Sequence, residues 1–132
     1  MIIIPMRHVY SADMTSQEMI LRAPSYFVLT ALLDGPVHGY VLIKRVSALS
    51  DDTVRLATGS LYAILDRLAD NGLIEVASEE IVNGRVRRQY RLTETGYDTV
   101  RAEAARLGSA ARIVTDPARR RRAIDSMVVR PA

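Results

Sequence analysis

Three arginines, Arg85, Arg87 and Arg88, fall within four positions directly after an Asn83-Gly84 pair. A guanidinium is a planar, permanently charged fork of donors that matches phosphate oxygens and the edge of guanine. A tip built this way can follow a nucleic-acid backbone or enter a minor groove. The competing use of such residues is a charged strand edge that discourages sheet aggregation. A second group lies upstream. If Leu61, Ile64, Leu65 and Leu68 turn inward on a helix, the opposite face presents Gly59, Ser60, Ala63 and Arg67, with Tyr62 at one edge. A small, polar first turn permits close approach to a duplex, supplies hydroxyls and aims backbone amides at phosphate. An ordinary amphipathic helix with a solvated face would carry the same leucines. Glu79, Glu80, Asp66 and Asp70 offset much of the local positive charge. The reading therefore rests on placement, not on net charge.

Other chemistries find little to work with. The chain has no cysteine and two histidines, His8 and His38, so disulfides and thiolate chemistry are excluded. Neither histidine has a ligand cluster beside it, and no metal or other cofactor is expected. There is no nucleophile paired with a base and no glycine loop built for phosphate, so the chain does not read as an enzyme. The formal net charge is +3, and all the basic residues except Lys44 are arginine. With 132 residues and 48% hydrophobic content, the chain suits one globular domain with a modest extension. No apolar run approaches the roughly 18 residues of a membrane span. The short start, Met1 to Pro5, lacks the basic n-region of an export signal. No membrane association and a cytoplasmic location are the expectations.

These residues need elements to position them. Residues 1–14 show no clear period and read as a flexible leader. Thr15-Ser16-Gln17-Glu18 has capping-box spacing, so a helical turn is expected there. Pro24 suits the first position of a helix, and Tyr26 to Leu33 is apolar throughout, as in a buried helix that Asp34-Gly35-Pro36 ends. A second helix after Gly39 would bury Tyr40, Ile43, Val46 and Leu49 as one stripe. The third runs from Thr58 to Asp70 and closes at Asn71-Gly72. The period then changes to two. Leu73 to Ser78 and Val86 to Leu92 read as strands joined by the Asn83-Gly84 turn, with Tyr90 and Leu92 on one face and Arg87, Gln89 and Arg91 on the other. Thr93 caps a long helix on which Tyr97, Val100, Ala104, Leu107, Ala111 and Val114 alternate spacings of three and four. That seam suits dimerisation. Asp116-Pro117 ends it, and Arg119 to Arg122 open a basic tail, read chiefly as a solvated terminus.

The expected fold class is mainly α with a small β-hairpin (α+β): a winged helix-turn-helix plus a long C-terminal dimerisation helix. The expected organisation is a leader over 1–14, the winged domain over 15–92, the dimerisation helix over 93–115 and a basic tail over 116–132.

Residues 21 to 97 resemble the PadR family of bacterial transcriptional regulators. The matching stretches are Leu29-Thr30-Ala31-Leu32 before Gly35-Pro36, His38-Gly39-Tyr40, the run Thr58 to Leu68 closed by Gly72-Leu73-Ile74, and Gly84 to Thr93 followed by Gly96. The resemblance implies a homodimer, with third helices in successive major grooves of double-stranded DNA and wings on the flanking backbone. Carried over residue by residue, it places DNA contacts at Thr58, Ser60, Tyr62, Arg67, Arg85, Arg87 and Arg88. Tyr97, Val100, Ala104, Leu107 and Ala111 would form the dimer interface. His38 and Tyr40 match the opening of the family's second helix and are assigned to the core or to capping. The short C-terminal part resembles the compact branch, in which one long helix does most of the dimerising. The resemblance also implies a repressor, relieved by a small aromatic or planar effector near the dimer interface. The alternative is a winged-helix module that binds protein instead of DNA.

Overall fold

The computed structural model describes residues 21–129, so the leader and the capping box at Thr15-Glu18 lie outside the described residues. The order of elements is α1 (Ala23–Ala31), β1 (Val37–His38), α2 (Gly39–Leu49), α3 (Thr58–Asp70), β2 (Ile74–Val82), β3 (Arg85–Leu92), α4 (Glu94–Thr115) and α5 (Pro117–Val129). The strands form one antiparallel sheet in the order β1-β3-β2. The architecture is α+β, a helix-turn-helix with a wing followed by a long helix.

Leu61, Ile64, Leu65 and Leu68 are buried, as their spacing requires, and α3 has the expected bounds. They meet Val28 and Leu29 of α1, Leu32 just after it, Leu42 and Val46 of α2, and Leu73, Ile74 and Tyr90 beside and within the sheet in a single core. Burying each such leucine is worth about 1.5–3 kcal/mol. The end of α3 is a Schellman motif. Gly72, at φ +75°, donates its N–H to the Ala69 carbonyl, and Leu73 donates to that of Leu68. The reversal delivers Leu73 and Ile74 straight into the core at the start of the sheet. The hairpin tip is equally local in origin. Asn83 and Gly84 have φ of 52° and 77°, the signs of a type I′ turn, whose twist matches that of the flanking strands.

Two features depart from the sequence reading. In α2 the buried residues are Gly39, Leu42 and Val46, whereas Tyr40 and Leu49 are exposed. A repeat of three falls about 60° short of a full turn at each step. Across the nine residues from Tyr40 to Leu49 the stripe drifts about half-way round the helix, so the two ends cannot share a face. The core assignment of Tyr40 is thereby corrected. The second departure is β1. Its two residues pair with β3 as Val37 to Tyr90 and His38 to Gln89, which ties the start of α2 to the wing.

Thr93 begins α4 as expected, accepting the Gly96 N–H at 3.0 Å while its hydroxyl donates to the Gly72 carbonyl at 2.6 Å. Gly96, Thr99, Val100 and Glu103 form the buried face of this helix. Val100 is therefore corrected from dimer seam to protomer core: it is 2% exposed within a single chain. Heptad spacing reports that a stripe will be covered, not by which chain.

Glu103 is a buried carboxylate that accepts two hydrogen bonds from Arg106, at 2.9 and 2.6 Å. Those bonds and the guanidinium charge, with a backbone hydrogen bond from Leu21, outweigh burial and hold its pKa below the ordinary glutamate value. A depressed carboxylate pKa stabilises the fold fully above the unfolded value, about 4.3, and that contribution is lost as pH falls through the folded value. Glu103→Gln should therefore be less stable than the wild type at pH 7. The gap in denaturant midpoint should close below about pH 4. A gap that is the same at pH 7 and pH 3 would contradict this assignment.

The stretch read as a basic tail is helical. Asp116 Oδ1 accepts the N–H groups of Ala118 and Arg119, and Arg120 donates to the Ile113 and Val114 carbonyls at the end of α4. An Asp-Pro pair that stops one helix is also a good start for the next, as N-cap and first residue.

Candidate nucleic-acid interface

On α3 the residues outside the leucine stripe are exposed: Gly59, Ala63, Asp66 and Asp70 opposite it, Ser60 and Arg67 on one flank, and Thr58 and Tyr62 on the other. Ala57 occupies the N-cap, and no side chain caps this helix. The Leu61 N–H is the first to reach back, to the Ala57 carbonyl. The amides of Thr58, Gly59 and Ser60 thus have no partner within the helix and carry the positive end of its dipole. Small exposed side chains on the same turn leave those amides approachable by an anion. Arg67 makes no ion pair among the described residues, and Asp66 next to it does not hold it. Successive helix residues point in different directions, which is why adjacency alone makes no pair.

Tyr62 occupies a more specific place than its sequence position suggests. A Cβ at Gly39 would stand 3.0 Å from the Tyr62 hydroxyl oxygen. The ring thus closes over the start of α2, and glycine there leaves room for it. Its ring bridges α3 and the start of α2 and stays partly exposed.

The wing arginines divide into three situations. Arg85, next to the turn, is exposed and makes no ion pair among the described residues. Arg88 pairs with Glu79 across the strands at 2.6 Å, and Arg91 pairs with Glu75 at 2.8 Å. Both pairs are half-exposed, so each is worth about 0–1 kcal/mol and a phosphate can compete for the guanidinium. Arg87 is half-buried, its guanidinium carbon 4.6 Å from the centre of the Tyr40 ring. The two strands keep register from Ile74–Leu92 to Val82–Arg85, with a bulge between Val76 and Ser78. This fixes which glutamate meets which arginine. Tyr90 lies beneath, and burial raises its phenol pKa above the ordinary value, so it stays neutral in the physiological range.

Of the residues named from the sequence, the structure leaves Thr58, Ser60, Tyr62 and Arg67 exposed on α3, with Ser60 and Arg67 on one side and Thr58 and Tyr62 towards the other, and sets Arg85, Arg87 and Arg88 on one hairpin. The link between these groups through Gly39, Tyr40 and His38 was missed. The available signal was the motif His38-Gly39-Tyr40 itself, once Tyr40 is known to leave the core.

The sequence matches the transcriptional regulator PadR-like family over residues 28–102, more than half its length. The chain belongs to the PadR-like family of transcriptional regulators. It is 36% identical over 87 residues to the transcriptional regulator Rv3488 of Mycobacterium tuberculosis, covering 66% of this chain and 78% of that protein. Solved structures share its fold. A transcriptional regulator from Clostridium thermocellum superposes with a TM-score of 0.59 at 21% identity, over 69% of this chain and 88% of the other. Bacillus subtilis PadR in complex with operator DNA superposes at 0.54 and 22%, over 61% of this chain and 46% of that one. The matched PadR-like region takes in α2, α3, the wing and the first part of α4. The outer half of α4 and all of α5 lie beyond it. Among the described residues no helix is long and apolar enough to cross a membrane.

Proposed function

We propose that this PadR-like regulator is a cytoplasmic homodimeric repressor. It sets α3 in the major groove of duplex DNA and lays its wing along the flanking backbone. The observation that carries the reading is the outer face of α3. An uncapped first turn with small polar side chains stands outside the leucine stripe, beside a wing whose tip arginine is exposed. Thr58 and Ser60 suit phosphate and base edges near the helix start, and Arg67 suits a base edge further along. Arg85 and Arg88 suit phosphates. PadR of Bacillus subtilis, which shares the fold, is bound to operator DNA in its structure. Relief by a small planar effector near the dimer interface belongs to the same proposal, since a shift at the seam would change the spacing of the two reader helices.

The second copy is proposed to cover the outer part of α4. Ala104, Leu107 and Ala111 are exposed there and continue the stripe that Val100 begins. Val114, 74% exposed, extends it. Beyond the turn, Ile124 and Met127 on α5 are exposed as well. Tyr97 lies at the inner edge with Arg101 stacked on its ring at 5.4 Å.

The test is a titration of wild-type and variant protein on operator and scrambled duplexes at several salt concentrations. Arg85→Ala should weaken both duplexes alike and lower the log–log salt slope by roughly 0.9 for each phosphate no longer neutralised, which means one per protomer. Ser60→Ala or Arg67→Ala should cost about 1–3 kcal/mol per base contact on the operator and little on the scrambled duplex. If Arg85→Ala changed neither affinity nor slope, the wing would not be on DNA, and a protein-binding winged helix would be the better reading.

A further inference from the structure

We propose that Tyr40 is a positioning residue for DNA binding. Its ring is a platform that holds the Arg87 guanidinium in place at the junction of reader helix, scaffold and wing. The inference rests on the DNA-binding reading above and adds to it a residue outside the expected contact set. Tyr40 is a large aromatic side chain left 53% exposed on the first turn of α2. Its ring has two close neighbours. The Arg87 guanidinium stacks at 4.6 Å, and the His38 ring lies nearly parallel, with centroids 5.4 Å apart and planes 29° from each other. His38 is itself fixed by the wing. Its Nε2 is 3.2 Å from Gln89 Nε2 and 4.0 Å from a Glu80 carboxylate oxygen, and its backbone is paired with Gln89.

The Arg87 Nε is buried and has no hydrogen-bond partner among the described residues. Ring stacking, rather than an acceptor, therefore holds this guanidinium. Glu80 lies opposite Arg87 in the strand register, yet the two make no ion pair among the described residues, unlike Arg88 with Glu79. The wing thus pairs Arg88 with an exposed carboxylate and rests Arg87 on an aromatic face. An arginine with free rotamers loses them when it meets a phosphate. One already laid on a ring has lost most of them in the free protein and keeps its charge and its planar fork. The platform also connects the two halves of the interface. Tyr62 of α3 closes over Gly39, the residue before Tyr40. Reader helix, start of α2 and wing are thereby joined through Tyr62, Gly39, Tyr40 and Arg87.

The experiment compares Tyr40→Phe, Tyr40→Leu, Arg87→Ala, Arg87→Lys and the double variant Tyr40→Leu/Arg87→Ala. Each is read by duplex affinity and by the NMR resonance of the Arg87 Nε–H. That resonance should be displaced by the ring in the wild type and in Tyr40→Phe, and should sit at its random-coil position in Tyr40→Leu. Tyr40→Leu should weaken duplex binding about 2- to 5-fold per protomer, the range of an exposed cation–π contact. Tyr40→Phe should bind as the wild type does, and Tyr40→Leu should add nothing in the Arg87→Ala background. Arg87→Lys, which keeps the charge on a residue that cannot stack as a plane, supports the platform if it loses as much as Tyr40→Leu. The proposal is overturned if the Arg87 resonance is undisplaced in the wild type, if the losses at Tyr40 and Arg87 add independently, or if Tyr40→Phe loses as much as Tyr40→Leu. A wild-type chain that shows the displaced resonance and yet binds no duplex overturns the DNA-binding reading, and this role for Tyr40 with it.

Discussion

A Leu107→Asp chain is expected to sediment as a monomer at micromolar concentration. Leu107 lies 40% exposed near the middle of the outer stripe of α4, past the last residue that the protomer itself buries. In a twofold dimer each substitution acts twice. Only the exposed 40% of each leucine is left for a partner to cover, so removing two forfeits about 1–2.5 kcal/mol. That alone raises the dissociation constant roughly fivefold to seventyfold. Each aspartate would also have to desolvate a carboxylate in an apolar stripe, which adds to the loss. The folded domain should survive, because Leu107 lies outside the buried core cluster. Thermal melting should therefore stay cooperative while the sedimentation coefficient falls. A variant that remains fully dimeric would move the interface away from α4, with residues 15–33 the next region to test.

Gly96→Ala is expected to damage the fold itself. A Cβ at this position would stand 1.9 Å from the Leu73 carbonyl oxygen and 2.8 Å from its carbonyl carbon. Both are backbone atoms, so no side chain can swing aside. The same carbonyl accepts the Thr93 N–H at 3.1 Å, and Leu73 is anchored by the Schellman turn that ends α3. Making room therefore means moving α4 away from the junction of α3 and the sheet. Overpacking a core usually costs about 1–3 kcal/mol, and an immovable backbone contact belongs at or above the top of that range. For a chain of this size the melting temperature should fall by about 10 °C or more. Wild-type melting of Gly96→Ala would show that α4 does not pack against Leu73 in solution. Because α4 also carries the proposed dimer seam, this contact is where reader helix and second copy would be mechanically joined.

Legibility in the sequence followed how local the determining physics is. Helix α3 was fully readable, because four apolar positions, a polar outer face and the Asn71-Gly72 stop all agree within one segment. The hairpin turn was readable for the same reason: positive φ at two successive residues selects Asn-Gly. What escaped depends on partners distant in sequence. Strand β1 is two residues long and exists only because β3 lies beside it. The face of α2 was misjudged because a repeat of three looks like a stripe over two turns and unwinds over three. Val100 was read from its spacing as a covered position, but assigning it to the dimer seam failed because which chain covers it is a tertiary fact. Helix α5 was legible in principle, since Asp116-Pro117 is as good a beginning as an end. The arginines after it drew attention to charge instead. At the interface, the exposed face of α3 was readable from the leucines alone. The separate situations of Arg85, Arg87 and Arg88 were not, because they are set by Glu79 and Tyr40, the latter more than forty positions away.

Whether α3 and the wing of this PadR-like chain read duplex DNA as a twofold dimer is decided by selection from a pool of random duplexes. Protein is incubated with the pool at near-physiological salt, bound duplexes are recovered over several rounds, and the survivors are sequenced. The expected outcome is enrichment of an inverted repeat whose half-sites are centred about 34 Å apart, one turn of the helix. The enrichment should weaken sharply for Arg67→Ala at a fixed position within each half-site. Recovery of the starting pool unchanged, or enrichment that is the same for wild type and Arg67→Ala, would contradict DNA reading by this surface.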